Sequence, residues 1–259
     1  MQNDVVCKQY QELAESAARR AGECLLDAFT VDAGVESTQG KDIKTKADRA
    51  AESIVLETLE STGLPILSEE SGLVGYSNDS IDGPYLNDGL YWIVDPLDGT
   101  FNFVREFPIC CVSIALWSGD KPVCGVIYDF VTDKLYSGIV GVGAWCNEKK
   151  IFVSEVVDRS QAVLATGFPS ARDYGDVALA DAIRSVQEYK KIRMVGSAAA
   201  SLAFVATGQF DAYSEEDIWL WDVAAGIALV KSAGGDYRMT EPRKSWQVDV
   251  FASNGQLGG

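Results

Sequence analysis

The sequence predicts a mixed fold of helices and strands, either α+β or α/β, and three features of the chain indicate it. Residues 5–29 carry apolar side chains at helical spacing. Residues 109–147 alternate apolar runs with turn signals, as an antiparallel meander does. From residue 162 onward, strand-like and helix-like segments alternate. The chain is long enough to form one large unit or two closely packed halves.

The N-terminal half begins with two predicted helices. The first is the helix described above, and the second runs from Asp48 to Leu59 after a polar loop at Thr30 to Gly40. A short strand is expected after Pro65, followed by a loop rich in Gly, Ser and Asn from Gly72 to Gly89. The apolar residues Tyr91 to Val94 predict the strand that enters the meander.

The meander leads to a predicted division of the chain. Its Gly138 to Gly143 segment is interpreted as a hairpin and not a nucleotide-binding loop, because no helical pattern follows it. A change of composition near residues 146–150 predicts two parts. These are an N-terminal α+β half, residues 1–147, and a C-terminal α/β half, residues 148–259.

The C-terminal half repeats strand and helix. The predicted segments are a strand at 162–166, a helix at 176–188, a strand at 192–195, a helix at 197–207, a strand at 210–214 and a helix from Asp222 to Gly234. Gly208 and the pair Gly234-Gly235 are typical helix ends.

The charge of the chain limits its partners. There are 38 Asp and Glu against 22 Lys and Arg, a formal net charge of −16. Such acidity argues against nucleic acid or an anionic membrane as a partner, and it means that an anionic substrate would need a metal ion. The N-terminus lacks a basic region followed by an apolar run, and no stretch approaches the ~18 apolar residues of a membrane span. A cytoplasmic location is therefore expected.

The residue types that are missing narrow the chemistry further. The chain contains no histidine, which excludes Ser-His-Asp and Cys-His catalysis, phosphohistidine and most zinc sites. None of its six cysteines forms a Cys-x-x-Cys pair, and Cys110 and Cys111 lie in an apolar run. We expect reduced, buried thiols. Carboxylates must then carry the chemistry.

The most informative stretch, from Trp92 to Phe103, reads Trp-Ile-Val-Asp-Pro-Leu-Asp-Gly-Thr-Phe-Asn-Phe. An apolar strand runs into Asp95 and Asp98, and Gly99 and Thr100 follow at a helix start. The intervening proline should stiffen this corner. Carboxylate oxygens suit Mg²⁺, and free backbone N–H groups after the second carboxylate suit a phosphate. On spacing alone, the two carboxylates could equally cap a turn.

The string Asp-Pro-Leu-Asp-Gly-Thr-x-Asn-Phe resembles the signature of the inositol monophosphatase family of Mg²⁺-dependent, Li⁺-inhibited phosphatases. Further segments resemble this family in the same order. They are Thr45-Lys46-Ala47-Asp48, Leu67-Ser68-Glu69-Glu70-Ser71 with Ser68 in place of glycine, Thr166 to Pro169, Val195 to Ala199, Trp221 to Gly226 and Ala252 to Gly255. The resemblance implies an α+β fold of layered αβαβα architecture, with a larger antiparallel sheet in the N-terminal half and a smaller mixed sheet in the C-terminal half. It also implies a homodimer.

The resemblance further implies a set of metal ligands. These are the carboxylates of Glu69, Asp95, Asp98 and Asp222 and the carbonyl of Leu97. Two Mg²⁺ ions, with a third and weaker one at Glu69, are expected, and Mn²⁺ is an alternative. Four carboxylates in one place need cations, because their repulsion and desolvation would otherwise force protonation. From the residues alone, Asp222 could instead be a helix N-cap. Glu70 is expected to be either a solvated neighbour of Glu69 or a group that contacts a metal ligand without binding the metal itself.

The resemblance also implies which residues act on the attacking water and which contact the substrate. Thr100 and Asp48 would orient the attacking water and accept its proton, and no phosphoenzyme would form. The implied substrate contacts are Gly99, Thr100, Gly196, Ser197, Ala198 and Glu215. Glu215 aligns with an acidic residue that contacts inositol hydroxyls, although it could instead belong to a solvated acidic loop. Arg193 could contact an anion or a partner subunit, or be an ordinary exposed arginine.

Three departures from the family pattern affect the choice of substrate. Phe101 replaces a small polar residue, and Arg105 and Trp219 stand where histidine is frequent. The leading hypothesis is a Mg²⁺-dependent hydrolase of a small polyol or sugar phosphate, inositol-1-phosphate being the first example. Alternatives are fructose-1,6-bisphosphatase, histidinol-phosphate phosphatase, 3′-phosphoadenosine-5′-phosphate phosphatase or, in another class, a regulatory interaction protein with vestigial phosphatase activity. The haloacid dehalogenase pattern, Asp-x-Asp, does not match the Asp-x-x-Asp spacing here.

Overall fold

The computed structural model describes residues 2–29, 35–39, 42–75, 89–168, 175–243 and 246–258. In chain order, the helices are α1 (Gln2–Phe29), α2 (Lys46–Leu59), α3 (Thr100–Val104), α4 (Asp176–Gln187), α5 (Ala198–Ala206) and α6 (Leu220–Ser232). The first ten strands are β1 (Val35–Gln39), β2 (Asp42–Thr45), β3 (Ile66–Ser68), β4 (Gly72–Val74), β5 (Leu90–Asp98), β6 (Cys111–Ser118), β7 (Lys121–Asp129), β8 (Lys134–Ile139), β9 (Gly143–Cys146) and β10 (Lys149–Ile151). The remaining strands are β11 (Val163–Thr166), β12 (Lys191–Arg193), β13 (Ala212–Trp219), β14 (Asp236–Met239) and β15 (Gln247–Ser253).

Eight strands form the larger sheet, in the order β10-β9-β8-β7-β6-β5-β3-β4. Neighbouring strands run antiparallel, except for the parallel pair β3 and β5. The predicted meander is confirmed as β6 to β9, and the predicted hairpin joins β8 to β9. Because β3 runs beside β5 in the same direction, both strands deliver their C-terminal ends to one edge of the sheet.

The smaller sheet has the order β12-β11-β13-β15-β14. Strand β11 lies parallel to both of its neighbours, whereas β15 pairs antiparallel with β13 and β14. The sheet is therefore mixed, as predicted.

The layers follow from the apolar faces of the helices. Helices α1 and α2 cover one face of the larger sheet, and α5 and α6 fill the space between the two sheets. Val186 of α4 packs on the outer face of the smaller sheet. Most side chains of α5 and α6 are buried, as expected of helices that are apolar on all sides. The αβαβα architecture is confirmed.

Two glycines let the central helix approach its neighbours closely. A Cβ built on Gly125 of β7 would lie 2.2 Å from the Ala225 carbonyl oxygen, and one on Gly226 would lie 2.4 Å from Leu202. Larger residues at either position would push α6 away from the sheet or from α5.

Three local predictions need comment. The loop predicted at Thr30 to Gly40 was wrong at Val35–Gln39, which form β1 and pair with β2. The loop predicted from Gly72 was wrong at Gly72–Val74, which form β4, and residues 76–88 lie outside the described residues. Strand β13 extends beyond the predicted end through a bulge after Glu215, because pairing with β15 overrides the polar sequence there. The division near residue 147 stays a prediction.

Two further features bear on the setting of the protein. None of the described helices combines the length and the apolar character that crossing a membrane requires. The six cysteines are free thiols, and those at positions 110, 111 and 124 are buried.

Candidate active site

The corner between β5 and α3 presents the carboxylates of the main motif. The ladder between β5 and β6 is irregular from Asp95 to Asp98, and the Leu97 N–H donates a 2.9 Å hydrogen bond to Asp95 Oδ1. Gly99 has φ +87°, and a Cβ there would lie 2.9 Å from the Ile109 carbonyl oxygen. Glycine therefore permits the chain to leave the strand and enter α3 within one residue.

The four carboxylates predicted as metal ligands influence one another. Asp95 and Asp98 are buried, whereas Glu69 and Asp222 keep some exposure. Burial raises the pKa of Asp95 well above its ordinary value, and the charges of Glu69, Asp98 and Asp222 raise it further. Desolvation also raises the pKa of Asp222 well above its ordinary value, and the charges of Glu69 and Asp98 raise it further. The structure thus brings together side chains that lie 153 residues apart along the chain, from 69 to 222.

This donor set fits a divalent cation in its chemistry. Positive charge among these oxygens would offset both their burial and their repulsion. Among the described residues, no three acidic or cysteine side chains are arranged as a complete cage for an ion, and Glu69 shares a hydrogen bond with Asp95. Binding would therefore require side-chain rotation that replaces this hydrogen bond by contacts to the ion. Leu97 contributes its carbonyl at the same corner, where it accepts a hydrogen bond from Thr100.

Asp222 is not the N-cap that the sequence alone allowed. Trp219 is the N-cap of α6, and its backbone N–H hydrogen bonds to Asp222 in the first turn. This hydrogen bond holds the carboxylate at the helix N-terminus, where the helix dipole favours negative charge.

The orientation of Asp98 is fixed from the other half of the chain. Its Oδ2 accepts hydrogen bonds from the Ser197 hydroxyl and, at 2.8 Å, from the Ala199 N–H. Ser197 is also the N-cap of α5, since its Oγ accepts from the Ala200 N–H at 3.1 Å. The Ser197 hydroxyl is therefore engaged within the protein, and its predicted contact with substrate stays a prediction.

Asp48 and Thr100 meet beside this corner. Thr100 Oγ1 lies 3.3 Å from Asp48 Oδ1 and 3.0 Å from the Leu97 carbonyl oxygen. Thr45 and Asp48 form a capping box at the start of α2, with two 2.6 Å hydrogen bonds to Asp48 Oδ2. Burial raises the pKa of Asp48, although the Thr45 hydrogen bonds oppose the effect and the charge of Glu70 adds to it.

A cavity of about 270 Å³ opens beside Asp98 and Asp222. It is lined by Asp98, Thr166, Gly167, Phe168, Gly196, Ser197, Ala198, Ser201, Tyr213, Glu215, Ile218 and Asp222. Polar groups form one side, and Phe168 and Ile218 add an apolar surface. Four of the predicted substrate contacts thus line one cavity, whereas Gly99 and Thr100 lie at the adjoining corner.

Glu215 belongs to the cavity wall and not to a solvated loop. Tyr213 donates a 2.7 Å hydrogen bond to Glu215 Oε2, and a Cβ on Gly167 would lie 2.5 Å from that oxygen. Burial raises the pKa of Glu215 to about 7, which the Tyr213 hydrogen bond opposes and the Asp98 charge reinforces. The exposed side chain in this segment is Glu216.

The residues that support the site were not predicted from the sequence. Tyr213 could have been found from the two-residue period of a strand, which places it on the same face as Glu215. Asn102 donates 2.8 Å hydrogen bonds to the carbonyls of Ile109 and Val195 and so joins the two halves, a link that no local pattern reveals. Arg193 is exposed and donates to the neighbouring Ile192 carbonyl.

The three departures from the family pattern do not line the cavity. The guanidinium of Arg105 lies 5.4 Å from the centre of the Phe101 ring, and Trp219 stacks on Trp221 at 5.0 Å. None of the three is among the described residues at the cavity wall.

A layered αβαβα fold that gathers carboxylates around a polar cavity is typical of metal-dependent phosphatases. Residues 7–257 match the model of the inositol monophosphatase family, and the chain belongs to that family. It is 38% identical over 226 residues to the Nus factor SuhB of Xylella fastidiosa, covering 85% of this chain and 78% of the relative. It is equally identical, over 232 residues, to inositol monophosphatase 3 of Solanum lycopersicum, covering 88% and 85%. The crystal structure of the extragenic suppressor protein suhB from Bartonella henselae superposes with a TM-score of 0.83 at 33% identity, covering 96% and 95%.

Proposed function

We propose that the protein is a Mg²⁺-dependent phosphate monoester hydrolase that acts on a small polyol or sugar phosphate, such as inositol-1-phosphate. One observation carries the proposal. The charges of Glu69 and Asp98 raise the pKa of both Asp95 and Asp222, beside a cavity that also contains Glu215. Such a set favours cation binding, and a cation is what a protein of net charge −16 needs to hold an anionic ester.

The carboxylates and the Leu97 carbonyl would hold two or three Mg²⁺ ions, or Mn²⁺ in their place. When bound, these ions would supply the charge that acidifies the attacking water and offsets the charge of the phosphate oxygens. The N–H groups of Gly99 and Thr100 at the start of α3 would donate to the phosphate, since both residues are only partly buried.

Asp48 and Thr100 would move the proton of the attacking water. Thr100 Oγ1 receives the proton as it passes its own to Asp48 Oδ1, 3.3 Å away. The water oxygen forms a bond to phosphorus and the ester P–O bond breaks. The leaving alkoxide takes up a proton from solvent water, and Asp48 releases the proton that it received to solvent. Burial raises the pKa of Asp48, which makes its carboxylate a better proton acceptor. No residue of the site becomes phosphorylated in this scheme.

Glu215 would select the leaving group. A carboxylate accepts from the neighbouring hydroxyls of a polyol, with Gly196 and Ala198 beside it at the cavity wall. Relatives named inositol monophosphatases support a polyol. Fructose-1,6-bisphosphate, histidinol phosphate and 3′-phosphoadenosine-5′-phosphate are the alternative substrates.

Phosphate release with Mg²⁺ across these four esters tests the proposal. We expect turnover that is highest with inositol-1-phosphate, stops in excess EDTA and falls with millimolar Li⁺. Undiminished turnover in EDTA would contradict the metal requirement, and a strong preference for the nucleotide would contradict the polyol. The homodimer, which rests on the family resemblance alone, is tested by light scattering at micromolar concentration.

A second candidate is a regulatory interaction, and the similarity to a protein named Nus factor SuhB favours it. The acidic surface would suit a basic partner protein better than RNA. An Asp98→Asn variant that lacks phosphatase activity but still complements loss of the gene in its host would support this role.

A further inference from the structure

Glu52 is a buried carboxylate that the proposed mechanism does not use. It lies on α2 with only 6% of its surface exposed. Its Oε1 accepts hydrogen bonds from the Ser68 hydroxyl and, at 2.9 Å, from the Ser71 N–H, and its Oε2 accepts from the Ser71 hydroxyl at 2.8 Å. Three donors compensate for the burial of this group.

All three donors belong to the two serines that flank Glu69 and Glu70. These four residues, Ser68 to Ser71, form the acidic turn between β3 and β4. At its start, the Glu69 N–H donates a 3.1 Å hydrogen bond to the Val94 carbonyl, which continues the pairing of β3 with β5. Glu52 therefore holds the turn at both ends from a different element of the fold.

The two carboxylates of the acidic turn serve different parts of the site. Glu69 hydrogen bonds to Asp95, whereas the charge of Glu70 acts on Asp48. A change in the orientation of the turn would move both carboxylates at once, away from the ligand set and away from the proton acceptor.

We propose that Glu52 is a positioning residue that fixes the acidic turn, and through it the placement of Glu69 and Glu70. The inference rests on the proposed function, because Glu69 is assigned there as a metal ligand. A carboxylate suits this task, since it is acceptor-only and its two oxygens can serve three donors. Ser68 strengthens the hold in this chain, because its hydroxyl supplies a donor that the glycine of the family pattern lacks.

Calorimetric titration of the full-length protein with Mg²⁺ tests this role. Glu52→Ala should raise the Kd for Mg²⁺ at least about tenfold, the usual cost of losing a group that orients a ligand. Glu52→Gln should stay within about threefold of wild type, because the amide keeps the two Oε1 contacts and can donate to the Ser71 hydroxyl. Val55→Ala, a buried change on the same helix, should lower stability to urea without changing Kd.

The outcomes separate this inference from the proposed function. Absence of Mg²⁺ binding by the wild type would overturn both. Normal binding by the wild type and by Glu52→Ala would overturn the inference alone, as would an equal loss of affinity in Val55→Ala. If Glu52→Ala does not fold, Ser71→Ala and Ser68→Gly replace it, each removing one donor. Both should weaken Mg²⁺ binding severalfold, and wild-type affinity in both would refute the positioning role.

Discussion

Thr100 Oγ1 lies 3.3 Å from Asp48 Oδ1, although 52 residues separate them along the chain. Each residue belongs to the first turn of its helix, and the Thr45 capping box fixes the carboxylate. Two helix N-termini thus present a hydroxyl and a carboxylate to each other beside Asp98. This contact supports the proposed assignment of both residues to the attacking water.

The contact predicts coupled losses of activity. Thr100→Ala and Asp48→Asn should each lower kcat by roughly 10²–10⁴-fold, because each interrupts the same proton transfer. The double variant should lose much less than the product of the two losses, since both residues act on one water. Steady-state kinetics with saturating Mg²⁺ measures all three.

Thr58→Ala provides the matched control for Thr100→Ala. The Thr58 hydroxyl also hydrogen bonds to a backbone carbonyl, that of Ile54, but lies outside the site. The Thr58→Ala variant should therefore have the same kcat as wild type. Multiplicative losses in the double variant, or a Thr100→Ala enzyme within a few-fold of wild type, would show that the water is activated without this pair.

Much of the fold was predictable because many of its helices, strands and turns are encoded by patterns within short stretches of sequence. The period of α1, the turn signals of the meander and the Gly99 corner each depend on a few neighbouring residues. Strand β1 was missed because its pairing with β2, and not its own composition, makes it a strand.

The titration of Glu215 predicts how stability depends on pH. Glu215 lies in the cavity wall, where the hydroxyl of Tyr213 donates a hydrogen bond to it. With a pKa raised to about 7, Glu215 stays protonated in the folded protein well above its unfolded pKa of ~4.3. The folded state therefore binds the extra proton between about pH 4.5 and 7, and stability falls as pH rises through that window, by at most ~1.4 kcal/mol per unit.

Glu215→Gln removes this titration. In EDTA, the free energy of unfolding by urea should decrease more steeply for wild type than for Glu215→Gln from pH 5 to pH 7. Parallel pH profiles would mean that Glu215 is ionised throughout that range.

The same residue should govern the choice between substrates. If Glu215 accepts from hydroxyls of the leaving group, Glu215→Gln should change kcat/KM unequally across polyol phosphates. Comparison of inositol-1-phosphate with a phosphate ester that lacks neighbouring hydroxyls measures the effect. Equal losses on both esters would exclude this role.

Gly167 offers an independent approach to Glu215. A methyl group there would meet the carboxylate at 2.5–2.7 Å, so Gly167→Ala should displace Glu215 and reproduce the selectivity of Glu215→Gln. Gly89→Ala is the control, because a Cβ there has no atom of the described residues within 4 Å. Wild-type selectivity in Gly167→Ala would show that the contact does not position the carboxylate.

The site was predictable only in part, for a physical reason. Asp95, Asp98 and Thr100 stand in one short string, so the sequence presents them together. Their supports come from distant elements: Ser197 and Ala199 hold Asp98, and Tyr213 holds Glu215. Such contacts depend on how the sheets and helices pack, which no local pattern encodes.

Phosphate release by Asp98→Asn during a Mg²⁺ titration from EDTA tests the central claim most directly. Asp211→Asn is the matched control, because Asp211 is also buried and accepts two hydrogen bonds, from Ser154 and the Val163 N–H, outside the cavity. We predict that wild type and Asp211→Asn require Mg²⁺ for turnover, and that Asp98→Asn loses at least ~10²-fold in kcat at every Mg²⁺ concentration while remaining folded. Near-normal kcat in Asp98→Asn, or full wild-type turnover in EDTA, would contradict metal-dependent hydrolysis at this site.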